Sequence, residues 1–205
     1  MRIVELILDE EFEEAGIEAI SIVESPAIES DFVALSKQTI QEIKLAELDK
    51  ERKILLGALL IPNKTIFRSG AEGDYYIYFS KETIVKASQM FYQNNNQNNS
   101  TLEHERELKG LTLVESWIVE DEVHDKSRKY GLNVPVGTWM GAEKVNNDEV
   151  WNEYIRTGKV KGFSIEGYFA DKMEKTQSKM SEKKDDEILK EIIDILKNEE
   201  KGLTK

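Results

Sequence analysis

Lys161-Gly162-Phe163-Ser164-Ile165-Glu166-Gly167 sits inside the stretch 160–169, which reads as a strand. Serine is a poor strand former, and two nearby glycines weaken a strand further. A chain that needed only a strand here would use Val, Ile or Thr. Glycines beside a serine allow another backbone or a bound molecule to come close to the hydroxyl. A serine nucleophile requires that access, and it requires a base. The chain has two histidines, His104 and His124, and no cysteine.

Working outward, the segments around this strand are mostly strands too. Residues 2–8 read as a short strand, and 19–23 as an apolar segment broken at Glu24-Ser25-Pro26-Ala27. The run 54–61 reads as a buried strand with a bulge or kink at its internal Gly57. Residues 74–79, 111–121 and 139–145 complete the set. Ser80 is a natural N-cap for a helix running through Ile84, Ala87 and Phe91, and Asn146-Asn147-Asp148 caps another over 149–157 that stops at Gly158. Trp117, Trp139 and Trp151 are core candidates. The polar run Gln93–Ser100 predicts a mobile loop. The pattern is mainly β with flanking helices, an α+β chain built on an antiparallel sheet.

Three regions follow: an N-terminal strand and helix segment, 1–50, with weak helical spacing over 38–50; a core, 51–170; and a tail, 171–205. The tail pairs a charged linker with an amphipathic helix over 185–198, carrying Ile188, Leu189, Ile192, Ile193 and Leu196 on one side. That helix suits docking or self-association.

A net charge of −12 argues against a nucleic-acid partner, since phosphate binding needs clustered Lys and Arg. No stretch approaches the roughly 20 apolar residues of a membrane span, and the acidic N-terminus is unlike a signal peptide. The expectation is a soluble intracellular protein. Without cysteine, disulfides and thiolate sites drop out. Two histidines make a His-rich metal centre a poor reading, and no cofactor is expected.

The segments Leu102-Glu103-His104-Glu105, Val114–Asp121, Asp125-Lys126-Ser127, Val134–Met140 and Lys161–Gly167, together with Val23–Glu29, resemble the XkdF-like serine proteases of tailed phages over about residues 1–170. Those belong with the prohead, or capsid-maturation, proteases. The resemblance implies a small antiparallel β-barrel of the herpesvirus-protease type with helices around it. It implies a serine endopeptidase acting inside the immature capsid in the host cytoplasm. Its partners would be the scaffold and major capsid proteins as peptide substrates, with self-cleavage, and a homodimer or oligomer is compatible with it. Carried over by position, Ser164 is the nucleophile and His104 the general base. The herpesvirus enzymes place a second histidine after the serine, and this chain has none there. An acid should then orient His104. Glu115, expected to face inward with Trp117 and Val119, is the choice. His124, Asp125 and Glu105 are alternatives, and Glu166 reads as the outward residue of its strand. The Pro135–Trp139 turn, with Gly137, is the candidate source of oxyanion-hole amides. The competing reading is a catalytically silent assembly or scaffold protein that keeps the protease fold.

Overall fold

The computed structural model describes residues 2–9, 15–30, 33–35, 52–70, 73–173 and 175. The helices expected over 38–50 and 185–198 lie outside them, as does most of the expected linker. Strands β1 (Arg2–Ile7), β2 (Gly16–Val23), β3 (Val33–Leu35), β4 (Ile54–Leu60), β5 (Ile66–Gly70) and β6 (Gly73–Phe79) lead to helix α1 (Lys81–Gln93). Then come β7 (Ser100–Leu102), β8 (Arg106–Leu108), β9 (Leu111–Ile118), β10 (Trp139–Val145), the short helix α2 (Asp148–Val150), β11 (Gly162–Tyr168) and β12 (Ala170–Asp171).

These strands make three four-stranded sheets, ordered β12-β1-β6-β5, β3-β4-β10-β9 and β11-β2-β7-β8. Seven of the nine strand pairings are antiparallel; β1–β6 and β2–β7 are parallel. The mainly-β expectation holds. The barrel does not, because each ladder ends in two edge strands and none closes on itself among the described residues. The N-terminal strands are woven into the sheets: β1 pairs with β6, and β2 lies between β11 and β7.

One apolar core joins the sheets. Leu55, Leu56, Leu59 and Leu60 of β4, Ile20 and Ile22 of β2, Phe163 of β11 and Trp139 of β10 are all essentially inaccessible. Helix α1 begins as its sequence dictates. Ser80 Oγ accepts from Thr83 N at 3.3 Å, and Ile84, Ala87 and Phe91 turn inward, with Phe91 edge-on to Trp139 at 5.7 Å between ring centres. Asn147 caps α2 by accepting from Val150 N at 3.1 Å. The chain then continues as a π-helical turn, Trp151–Ile155, and Gly158 ends it at φ +69°. Trp151 is buried as expected. Trp117 is only half-buried and donates its indole N–H to Asp125 at 3.1 Å.

Three local expectations need correction. The irregularity in β4 is opposite the Trp139/Met140 step, where Leu60 and Ala58 are the partners and Leu59 is the extra residue; Gly57 pairs regularly with Gly141. The asparagine run is bound to the core: Asn96 and Asn99 side-chain amides donate to the Ile17 and Glu18 carbonyls at 3.0 and 3.2 Å, and Ile20 N donates to Asn99 O at 3.1 Å. Amide side chains that reach edge carbonyls replace the water a loop would otherwise hold. On β9 a bulge intervenes, since Glu115 pairs with Ala142 while Leu113 pairs with Glu143, leaving Val114 between them. An extra residue reverses the inside–outside phase of everything after it. Glu115 is therefore turned outward, its side chain 48% exposed.

Candidate active site

Phe163 and Ile165 of β11 face the core beside Ile22 and Ile20 of β2. By the period of two, Ser164 and Glu166 share the opposite, outer face. Ser164 pairs directly with Ser21 across the ladder. Cross-strand partners have Cβ atoms about 4.5–5.5 Å apart, so the two hydroxyls are neighbours. Thr101 is the partner of Ser21 on the far side, on β7. Ser164, Ser21 and Thr101 thus form a polar row across three strands.

The turn between β7 and β8 folds onto that row. Glu105 N donates to Leu102 O at 3.1 Å, closing a tight turn with Glu103 and His104 at its centre. Both have positive φ, +53° and +61°. Asn-Gly is the usual occupant of such a pair, and a non-glycine residue there costs ~1–2 kcal/mol. Three contacts to the β2 region hold the turn: Glu103 N to Ile22 O at 3.2 Å, Glu24 N to Glu103 Oε1 at 2.6 Å, and His104 N to Ser21 Oγ at 3.0 Å. Ser21 is fully buried beneath it. Strain of this kind concentrates at functional sites, where the surroundings enforce it.

Held this way, the His104 ring meets Glu166. Nδ1 lies 3.1 Å from Glu166 Oε1, and Thr101 Oγ1 donates to that same carboxylate oxygen. The His104 and Glu166 side chains are 41% and 29% exposed, wet at one side and packed at the other. A neutral imidazole that donates from Nδ1 keeps Nε2 as an acceptor. Ser21 thus stands between the two groups: its hydroxyl holds the His104 backbone, and its strand partner is Ser164. The Ser164 hydroxyl itself, half-buried, has no hydrogen-bond partner among the described residues.

The other acids lie elsewhere. Glu115 is ion-paired with Lys126. Asp125 accepts from Trp117 Nε1 and Ser127 N, and these bonds hold its carboxyl below the usual range despite partial burial. His124 is exposed and bonds Asp121 at 2.9 Å. That contact, with two backbone amides, lowers the Asp121 carboxyl to about 2. Glu105 is exposed at the end of the turn. Glu166 is the acid that reading the sequence alone assigned to a plain outward role. It is outward, and that outward face is where His104 arrives. Its spacing of two from Ser164 was the available signal.

Two further expectations change in detail. The Pro135–Trp139 amides are spent internally: Gly137 N donates to Val119 O at 2.8 Å and Thr138 N to Pro135 O at 3.2 Å. The glycines flanking Ser164 do permit close approach, but what approaches is this chain. A Cβ on Gly162 would meet Pro26 Cγ at 2.5 Å, and one on Gly167 would meet Gly16 O at 2.0 Å. They let β2 and the loop after it press against both ends of the serine strand.

One buried carboxyl lies apart from this face. Glu143 on β10 is wholly buried, accepts from Ser100 Oγ at 2.5 Å, and leaves Oε2 without a partner. Burial pushes it up to about 7, against a smaller opposing effect from Ser100. Among the described residues no cluster of His, Asp and Glu could hold a metal ion, and no helix is long and apolar enough to cross a membrane.

A mainly-β scaffold that brings a serine, a histidine and a carboxylate to one sheet face has the residue set of a serine hydrolase. A family model described as "Putative phage serine protease XkdF" matches residues 42–174, and the chain belongs to that family. No match is found among curated proteins or among solved structures.

Proposed function

We propose that this protein is a phage prohead serine endopeptidase, with Ser164 as nucleophile, His104 as general base and Glu166 as the carboxylate that orients the base. The observation that carries the reading is the His104–Glu166 contact two residues along the strand from Ser164. Family membership supports the serine-protease class. The prohead setting, with scaffold and capsid-protein segments and the chain itself as substrates, is the specific form we assign to it.

Ser164 Oγ attacks the scissile carbonyl carbon. The new O–C bond forms as the hydroxyl proton passes to His104 Nε2, and the carbonyl π pair moves onto oxygen. The C–N bond then breaks, and the leaving amine takes the proton from Nε2. Water repeats the sequence on the acyl-enzyme and frees Ser164. Glu166, accepting from Nδ1–H, fixes the tautomer and stabilises the imidazolium formed in each half-reaction. Thr101, donating to the same carboxylate, holds it in place.

The test is co-expression with the scaffold and capsid proteins, read by mass spectrometry. Wild-type chain should yield cut products, and Ser164→Ala should leave all three chains intact. Equal processing by both forms would refute the assignment. The open Ser164 hydroxyl favours a second reading, a silent assembly protein that keeps the fold; it predicts no cutting by either form.

A further inference from the structure

β11 is an edge strand, paired on one side with β2. Along its other side runs a groove of about 680 Å³ that separates it from the β12-β1-β6-β5 sheet. Ser164 itself lines this groove. Its floor is apolar: Val4, Leu60, Ile66, Ile77 and Phe79, with Ile165 projecting from β11. The charged residues at its wall come in both signs, Arg2 with Asp171 and Arg68 with Asp74, so they favour no single charge on an occupant. The groove therefore selects by apolar contact.

We propose that an extended peptide docks along the free edge of β11 and places one apolar side chain in this groove. The inference rests on the protease reading above and names its substrate class. A strand added to the edge would run ~4.8 Å from β11. Its side chains alternate. One set lies over the outer face, beside Ser164 and Glu166, and the other descends between the sheets onto Ile165 and Phe79. A carbonyl level with Ser164 is then in line for attack, and the register of the added strand fixes which neighbouring side chain is buried. Specificity for an aliphatic or aromatic residue at one set distance from the cut follows from that register.

A proteome-derived peptide library digested by the full chain, with cut sites read by mass spectrometry, tests this. The expected result is an aliphatic or aromatic residue enriched at one fixed position within two residues of the cut. Ile165→Trp, which fills the groove, should reduce cutting of those peptides about tenfold. Ile165→Ala, which enlarges it, should shift the preference toward larger side chains and serves as the check if the Trp variant folds poorly. Cutting that depends on Ser164 but shows no positional apolar preference would overturn the groove and leave the protease reading standing; that is also the pattern expected if a segment of this chain fills the groove. Cutting of the library that persists in Ser164→Ala, or no cutting by the wild type, would overturn both.

Discussion

His104 Nδ1 stands 3.1 Å from Glu166 Oε1, and Glu166 is two residues from Ser164 on the same face of one strand. Neutralising that carboxylate removes what fixes the ring. Glu166→Gln should lower kcat about 10²–10⁴-fold, the range for a lost proton-transfer arrangement. Glu115→Gln should stay near the wild-type rate, because Glu115 is committed to Lys126. Steady-state kinetics on one cleaved substrate checks both, and a larger loss in Glu115→Gln would reverse the assignment.

The His104 turn is held by a buried hydroxyl rather than by its own propensity. Ser21→Ala leaves the His104 amide without its acceptor and costs about 1–3 kcal/mol for an unmet buried group. The predicted signature is a modest drop in Tm together with a fall in kcat at nearly unchanged KM. Glu103→Gly should act the other way on local strain, relaxing φ +53° at no steric cost, while losing the Glu24 contact.

The strand glycines are packing positions. Gly167→Ala would put a methyl 2.0 Å from Gly16 O, a backbone atom that cannot swing away, and should destabilise by ~3 kcal/mol or more. Gly162→Ala meets the Pro26 ring and Ser30 O and should cost somewhat less. Differential scanning calorimetry reads both. If either change were neutral, the close approach of β2 to the serine strand would be wrong.

Glu143 gives the fold a pH dependence of known sign. Its folded pKa, about 7, is raised above the ordinary value of 4.5, so the folded state binds its proton more tightly than the unfolded state does. Stability from this group is fully present below about pH 4.5 and is lost as pH rises to about 7, by about 3 kcal/mol in all. Glu143→Gln should flatten that part of the profile. Urea midpoints at pH 5 and pH 8 measure it. An unchanged slope in the variant would exclude Glu143 as the source.

The strands and helix caps were legible because their signals are local. Alternation marks residues 74–79, and Ser80 announces α1 through a bond three residues long. What stayed hidden depends on pairing between distant segments. No local pattern says that β2 inserts between β11 and β7, and that insertion brings His104 to Glu166. The bulge at Val114 is equally silent in sequence, yet it alone turns Glu115 away from the core. Glu166 could have been read from its spacing to Ser164, but only once the outer face of β11 was known to carry the site. The asparagines gave a correct composition and a wrong expectation, because a polar side chain that can face water can also cap a neighbouring strand.

The central claim is that Ser164 is activated by His104. Labelling with a fluorophosphonate, with the modified residue located by tandem mass spectrometry, tests it directly in wild type, His104→Ala and Ser164→Ala. The account predicts a single adduct on Ser164 in the wild type, formed at least a hundredfold more slowly in His104→Ala (about 10²-fold being the lower end for loss of a general base) and absent in Ser164→Ala. Labelling of Ser164 at the same rate without His104, or no adduct on Ser164 in a wild-type chain that cuts its substrate, would contradict it.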